Sequence, residues 1–333
     1  LRGDVGTPVT ITILRGENMQ FDVTLIRALI EVPTVKFGMI ENTSIGYARL
    51  IQFTPETAPR LQEALDFFDS KDYTGLIIDL RDNPGGLITS AVDVADKFVN
   101  EGPVVTTKSR LFYENHQYSA SSEKTTVKNS IPIVVLINRG SASASEIVSG
   151  ALKDYHLAYL VGECTYGKGS VQQVIPLSNT DGIKMTMARY YTPSDVNIDK
   201  TGIPPDLEVL NMQKMNGEQE QLYMQMIKSE IITKTVDMNP EMTEEQIALE
   251  AETIAKDYPF EQRILRRLLR VQVQRHQATP LYDLDWDLQL NKAIEILQSG
   301  SFDELIKSTK TLKELQDEKN LLETNSEKMA VAQ

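Results

Sequence analysis

Three serines and one lysine carry the chemical interest of this sequence. Ser141, Ser143 and Ser145 stand in "NRGSASASEIVSGALKDY", between an apolar strand-like run and a helix-like run. Such a junction exposes backbone N–H groups at the positive end of a helix dipole, so a serine nucleophile there has amides beside it to hold an oxyanion. The plain alternative is a serine that only caps the helix. Lys168 lies between Gly167 and Gly169 in "GECTYGKGSVQQV". A lysine works as a general base only as the neutral amine, which calls for burial. Flanking glycines let the backbone pass close to other elements and carry the amine inward.

Other chemistries fit the residues less well. Gly162, Gly167 and Lys168 match a phosphate-binding loop until Gly169 stands where Ser or Thr must hold magnesium, and a strand-like run follows where a helix is required. His116, His156 and His276 are far apart and Cys164 has no partner thiol, so no metal site is expected. A Ser-His-Asp triad using His156 and Asp154 fails on length, because a helix of about 12 residues is about 18 Å long and separates them from the serines. Ser121 and Lys124 match Ser-x-x-Lys but lie in a polar loop-like run, and Lys153 reads as solvated.

The elements around these residues alternate. "SIGYARLIQF", "GLIIDLRDNPGG", "IPIVVLIN" and "LAYLVGE" read as strands, the third apolar enough to be covered on both faces. Between them "TPETAPRLQEALDFFDS", with Thr54 as N-cap, "LITSAVDVADKFV" and the serine-bearing run read as helices. "KGSVQQVIPL" and "GIKMTMARYYTP" read as a strand pair, which puts Gln172 on the face of Lys168 by the strand period of two. The class is therefore α/β, with strands feeding helices between about 44 and 165. Two strand-like runs precede this region. After residue 210 the composition turns helical, opening one helix with the Thr243/Gln246 capping box and ending in a polar helical tail that fades toward disorder. The formal charge of −13 argues against nucleic acid or an anionic membrane as the main partner. No apolar run is long enough to span a bilayer. The chain opens on Leu1 with neither Met nor an export signal, and reads as a fragment.

Taken together, "SASASEIVSGALKD", "GECTYGKGSVQQVIPL", "IIDLRDNPGG", "MTMARYYTPSDVNIDKTGIPPDLEV" and "DLQLNKAIEIL" resemble, in the family order, the C-terminal processing peptidases, also called tail-specific proteases. "LRGDVGTPVTITILRG" is similar to the last part of a PDZ domain, without the loop that captures a C-terminal carboxylate. The resemblance implies a ClpP/crotonase-like β-α core and four regions: 1–36 as the end of a PDZ domain, 37–210 as the protease core, 211–280 as a helical insertion and 281–333 as closing helix and tail. It implies Ser143 as nucleophile, Lys168 as base, Gln172 as its orienting group, and Asp154 and Glu146 as supporting acids. The helix dipole alone also accounts for Glu146. Backbone N–H of Ala144 and of Gly85 or Gly86 would hold the oxyanion. No cofactor or metal is implied. Protein or peptide substrates would be taken by their C-terminal tails, outside the cytoplasm in a bacterial periplasm or envelope. A catalytically inactive binding protein on the same fold is the alternative. The basic stretch "EQRILRRLLRVQVQRH" reads first as a packed helix and second as a subunit or adaptor interface within 211–333. Asp195 stands where the family often has glycine.

Overall fold

Apolar runs of four to six residues that read as strands lie side by side in the computed structural model. The structure describes residues 1–15, 19–29, 33–110, 115–128, 130–178, 181–276 and 280–331. Leu1–Pro33 and Thr34–Gln333 form two compact units. In the first, strands β1 (Pro8–Arg15) and β2 (Met19–Ile26) pair antiparallel from Pro8 opposite Ile26 to Arg15 opposite Met19. Thr10 and Thr24 share a hydroxyl hydrogen bond of 2.9 Å across them, and Thr12 Oγ1 donates to Asp22 at 2.7 Å.

The second unit is a mixed α/β body built on a six-stranded sheet. Its strands, numbered in chain order, are β3 (Val35–Met39), β4 (Ile45–Leu50), β5 (Gly75–Asp79), β8 (Ile133–Ile137), β9 (Tyr159–Gly162) and β12 (Leu207–Glu208). They run in the order β12-β9-β8-β5-β4-β3, all neighbours parallel except the antiparallel pair β3-β4. Because each crossover from β4 to β9 steps the same way along the sheet, right-handed connections put their helices on one face. Helices α1 (Thr57–Asp69), α2 (Ile88–Ala95) and α3 (Ala144–Asp154) lie there. They bury Leu61, Phe68, Val94 and Val148 against Leu76, Ile78, Val135 and Leu160. The alternate residues Tyr47, Ile77, Val134, Leu136 and Val161 face the other way, onto Leu290, Ala293 and Ile296 of α8 (Leu288–Gln298). Both faces being covered explains why β5 and β8 are buried at every position.

A second, four-stranded sheet runs β10-β11-β6-β7, from β6 (Gly102–Ser109), β7 (His116–Ala120), β10 (Ser170–Pro176) and β11 (Gly182–Tyr191). Helices α4 (Gly217–Ser229), α5 (Ile231–Met238), α6 (Glu244–Ile254) and α7 (Gln262–Val273) close a core of their own around Met226, Val236, Ala251, Leu265 and Leu269. Thr243 and Gln246 form the expected box, Gln246 Oε1 accepting from Thr243 N at 2.9 Å. The arginines of α7 are neutralised within the chain: Arg266 pairs with Asp285 at 2.6 Å, Arg267 with Asp283 at 3.3 Å, and Arg270 with Glu244 and Asp285 at 2.7 Å. The stretch is a helix whose apolar face, with Leu265 and Leu269, packs within the chain. The tail is helical, as α9 (Phe302–Ser308) and α10 (Leu312–Val331), and is anchored by buried Leu312. Among the described residues no helix is long and apolar enough to cross a membrane.

Two local expectations shift. Thr54 does not cap α1; the helix starts after Glu56, and the Thr57 hydroxyl instead donates to Gln52 O at 2.8 Å. Lys153 is not solvated: at 1% exposure it forms an ion pair with Asp206, whose other oxygen accepts from Leu160 N at 2.8 Å. Sequence spacing put Lys153 on an outer turn, but loop 204–206 folds over it.

Arg81 ties the far C-terminal region to the sheet. It forks onto Asp79 (2.9 and 2.6 Å) and onto Asp287, the N-cap of α8 (2.7 Å twice), and also donates to Gln289 at 2.9 Å. Burial alone would raise the Asp79 carboxyl; the Arg81 guanidinium beside it overrides this and holds it below the usual carboxylate range. Asp287→Ala leaves one face of a buried guanidinium unpaired and is expected to lower unfolding free energy by about 3 kcal/mol in urea titration. Since the Asp79 carboxyl is depressed, its contribution is present above its ordinary value of 3.8 and is lost as pH falls below it. The wild-type stability curve should fall on that acidic side.

Candidate active site

Parallel neighbours β5 and β8 end at the same edge of the sheet, so the segments that follow them meet there, at the carboxyl ends of the strands. The two segments are laced together. Asn138 Oδ1 accepts from Asp82 N and Gly140 N at 2.9 Å, and Ala142 N donates to Asn83 O at 3.0 Å. The three serines now separate. Ser141 Oγ donates to Leu80 O at 2.8 Å and Ser145 Oγ to Asn83 O at 2.9 Å, and both are fully buried. Ser143 is half-buried and lines an open cavity of about 420 Å³ together with Lys168, Gln172, Gly86 and Tyr190.

Ser143 sits at φ 57°, ψ −112°, a strained turn between strand and helix that holds a side chain outward. A non-glycine residue there costs about 1–3 kcal/mol and persists only if its surroundings impose it. Glu146, fully buried one turn into α3, does so. Its Oε2 accepts from Ser143 N at 2.8 Å and from Lys168 N at 2.9 Å; its Oε1 accepts from Thr165 Oγ1 at 2.6 Å and Gly167 N at 2.7 Å. Opposite it, the Tyr190 hydroxyl donates to Ser143 O at 3.3 Å and, more closely, to Lys168 O. Burial, with the Glu146 charge adding to it, raises the Tyr190 phenol, so it remains a donor. The N–H groups of residues 143 and 168 thus share one acceptor and their carbonyls share one donor. The dipole reading of Glu146 understates it, and Tyr190 was not singled out by sequence; its only sign there is an aromatic hydroxyl at a strand end.

The glycines of the turn differ. Gly85 (φ 96°) lies so close to the elbow that a Cβ would come within 2.8 Å of Ala144 N, and its own N–H is spent on Asn83 Oδ1 at 2.9 Å. Gly86 (φ 153°) has Phe53 O 2.0 Å from a Cβ position, which excludes any side chain. Among the described residues, neither Gly86 N nor Ala144 N has a hydrogen-bond partner. Unpaired backbone donors at such a place are costly unless a ligand takes them.

Lys168 is half-buried rather than deeply buried, and no hydrogen bond joins Lys168 Nζ to Ser143 Oγ among the described residues. Its glycines do bring it in: Gly167 and Gly169 pack against loop 199–202, where Cβ atoms would approach Gly202 N to 2.9 Å and Asp199 N to 2.6 Å. The period-two argument for Gln172 fails, since Lys168 precedes β10 and the register shifts between Val171 and Gln172. The cavity, not the strand face, brings the two together. Asp154 lies away from Ser143 and braces the far end of α3, accepting from Ser194 N at 2.9 Å and Leu312 N at 2.8 Å. Asp195 takes φ 64°, the backbone state glycine adopts freely.

The dismissed candidates stay apart from Ser143. His156 Nδ1 meets Thr309 Oγ1 at 2.7 Å, His116 is exposed on β7, and the side chain of His276 lies outside the described residues. Lys124 pairs with Asp93 and Asp96 at 3.4 Å. Cys164 lines a separate cavity, and its thiol is pushed up by burial and by the Glu146 charge. No cluster of three metal-ligating side chains occurs among the described residues.

A model of peptidase family S41 matches residues 44–209, the span that contains the sheet, the elbow and the lysine loop. The chain belongs to peptidase family S41. S41 is a serine-type peptidase family, and the curated relatives of this S41 chain are named for C-terminal processing. A carboxy-terminal-processing protease of Bartonella bacilliformis is 44% identical over 214 residues, 63% of this chain and 48% of the relative. A carboxyl-terminal-processing protease of Synechocystis sp. is 39% identical over 210 residues, 62% of this chain and 48% of the relative. A solved photosystem II D1 C-terminal processing protease is 34% identical, with a TM-score of 0.47 over 57% of this chain and 52% of its own. The chain spans about half the length of these curated relatives.

Two substitutions test the brace. In Glu146→Gln, whichever way the amide turns, its NH₂ meets at least one backbone N–H, so stability should fall by about 3 kcal/mol in chemical denaturation. Tyr190→Phe removes one hydroxyl without changing shape; it should cost about 1–2 kcal/mol of stability by the same titration.

Proposed function

We propose that this chain is the catalytic part of a Ser/Lys endopeptidase that cleaves proteins at or near their C-terminal tails. The observation that carries this reading is the single cavity holding the Ser143 hydroxyl, Lys168, Gln172 and the unpartnered N–H of Gly86, beside the unpartnered N–H of Ala144. In the proposed reaction Lys168 Nζ, as the free amine, takes the proton of Ser143 Oγ, which attacks the scissile carbonyl. The tetrahedral oxyanion is held by Ala144 N–H and Gly86 N–H; Gly85 is excluded because its donor is spent. Lys168 returns the proton to the leaving amine, then takes one from water as the acyl-enzyme is hydrolysed. Gln172 orients the amine, Glu146 and Tyr190 position the elbow and the lysine loop, and Asp154 supports α3 from its far end. No cofactor enters these steps.

The same reading assigns the β1-β2 hairpin, within 1–36, to a PDZ domain, and 37–210 to a ClpP/crotonase-like core. It takes 211–280 as an inserted helical bundle and 281–333 as the segment that closes the sheet and extends as a tail. Self-association or an adaptor site through 211–333, and an extracytoplasmic location, belong to it as well. The names of the curated relatives support the C-terminal preference.

The test is digestion of an unfolded polypeptide with an apolar C-terminus, followed by mass spectrometry. Wild type should release fragments. Ser143→Ala and Lys168→Ala should each lower the rate by roughly 10³-fold or more, and Gln172→Ala by roughly 10- to 100-fold. Equal cleavage by all forms refutes the assignment, and no cleavage by any points to a binding protein on the same fold.

A further inference from the structure

We infer that the cavity beside Ser143 also selects its peptide by a carboxylate, read by Lys184 of β11. The inference rests on the peptidase reading for its role in catalysis, but the binding step it describes stands by itself. The protein carries a formal charge of −13, yet the residues lining this cavity include two lysines, Lys168 and Lys184, and no Asp or Glu among those described. Of the acids near it, Glu146 lies beneath the elbow with its oxygens taken up by four donors, and Asp199, behind the lysine loop, accepts from Gly169 N at 3.3 Å. With Lys168 working as the free amine, Lys184 supplies the fixed positive charge of this cavity in an acidic molecule, and such a charge attracts anions.

Lys168 is occupied by proton exchange with Ser143, which leaves Lys184 as the residue able to hold a fixed negative charge. Lys184 has no ion-pair partner among the described residues, whereas Lys108, Lys124 and Lys153 are each paired with an aspartate. Nothing on the wall competes for its charge, and apolar Leu87, Ile88 and Val171 share that wall. A charge interaction beside apolar groups is less screened than one in open water.

The register sets the distance. Lys184 lies opposite Val174, two positions from Thr186, which is opposite Gln172. Two residues of strand span about 7 Å, and an extended peptide has the same rise of about 3.4 Å per residue. β10 is the edge strand of its sheet, so a peptide can lie along it. A carboxylate about two or three residues from the bond facing Ser143 then reaches Lys184. That carboxylate is either the free C-terminus of the peptide or an Asp or Glu side chain near it.

The experiment separates binding from cleavage. Ser143→Ala protein is titrated by fluorescence anisotropy with one short apolar peptide in four forms: free acid, C-terminal amide, amide with one Glu near the end, and amide with Gln there. The expected result is binding of at least one carboxylate form roughly three- to fivefold tighter than its neutral match at low salt, with the gap narrowing at high salt. The acid-against-amide pair reports the C-terminus as the source, and the Glu-against-Gln pair the side chain. Adding Lys184→Met should bring the ratio to about one, Lys184→Glu should invert it, and Lys184→Arg should keep it. Equal affinity across all four forms, no binding of any, or a preference that survives Lys184→Met overturns the inference. Cleavage by the wild type is scored separately, so a protein that prefers carboxylates but hydrolyses nothing refutes only the peptidase reading.

Discussion

A buried carboxylate with four donors governs the geometry of this site. Glu146 has no solvent contact, and a carboxylate stripped of water is unstable unless its oxygens are filled. Its own helix supplies one donor, Ser143 N–H, by way of a strained turn; the remaining three come from Thr165, Gly167 and Lys168, after the next strand. Placing the lysine loop anywhere else would leave the charge bare. The stability of the core is thereby coupled to the spacing of Ser143 and Lys168, and Tyr190 closes the arrangement from the carbonyl side. The strain at Ser143 persists because these surroundings over-determine it.

The turn that carries Gly85 and Gly86 is held by a different device of the same kind. Arg81, buried at the end of β5, satisfies Asp79 behind it and Asp287 in front of it. Since Asp287 also caps α8, the helix that covers the second face of the sheet is fixed to the turn that carries Gly85 and Gly86. A one-directional strand order leaves that second face without a crossover helix. The chain fills it with a segment from its far C-terminal region, and one guanidinium sets the register.

Much of the fold was legible in local pattern. The apolar run at 75–79 announces a strand, the run at 133–137 a strand covered on both faces, and the Thr243/Gln246 box marks a helix start. Less legible were β3, β6 and β7. Gly102, Pro103 and a run of Thr, Lys and Ser give β6 no clear alternation; it is a strand because β11, some eighty residues later, pairs with it. Lys153 reads as solvated in the sequence for the same reason, since its partner Asp206 lies on a distant loop.

For the site, sequence by itself determined which residue types were available: serines at a strand-to-helix junction, a lysine between glycines, and a Gly-Gly turn. It left open which serine is presented and which glycine keeps a free donor. Only the tertiary structure decided these, because the serines are sorted by hydrogen bonds between segments remote in sequence, and the glycines by the shape of a turn that such bonds hold in place. Ser141 and Ser145 are removed by carbonyls of the 80–83 turn, and Gly85 by the Asn83 side chain within that turn. Sequence records which groups a residue carries; whether a group is still free after folding is a property of what the rest of the chain brings to it.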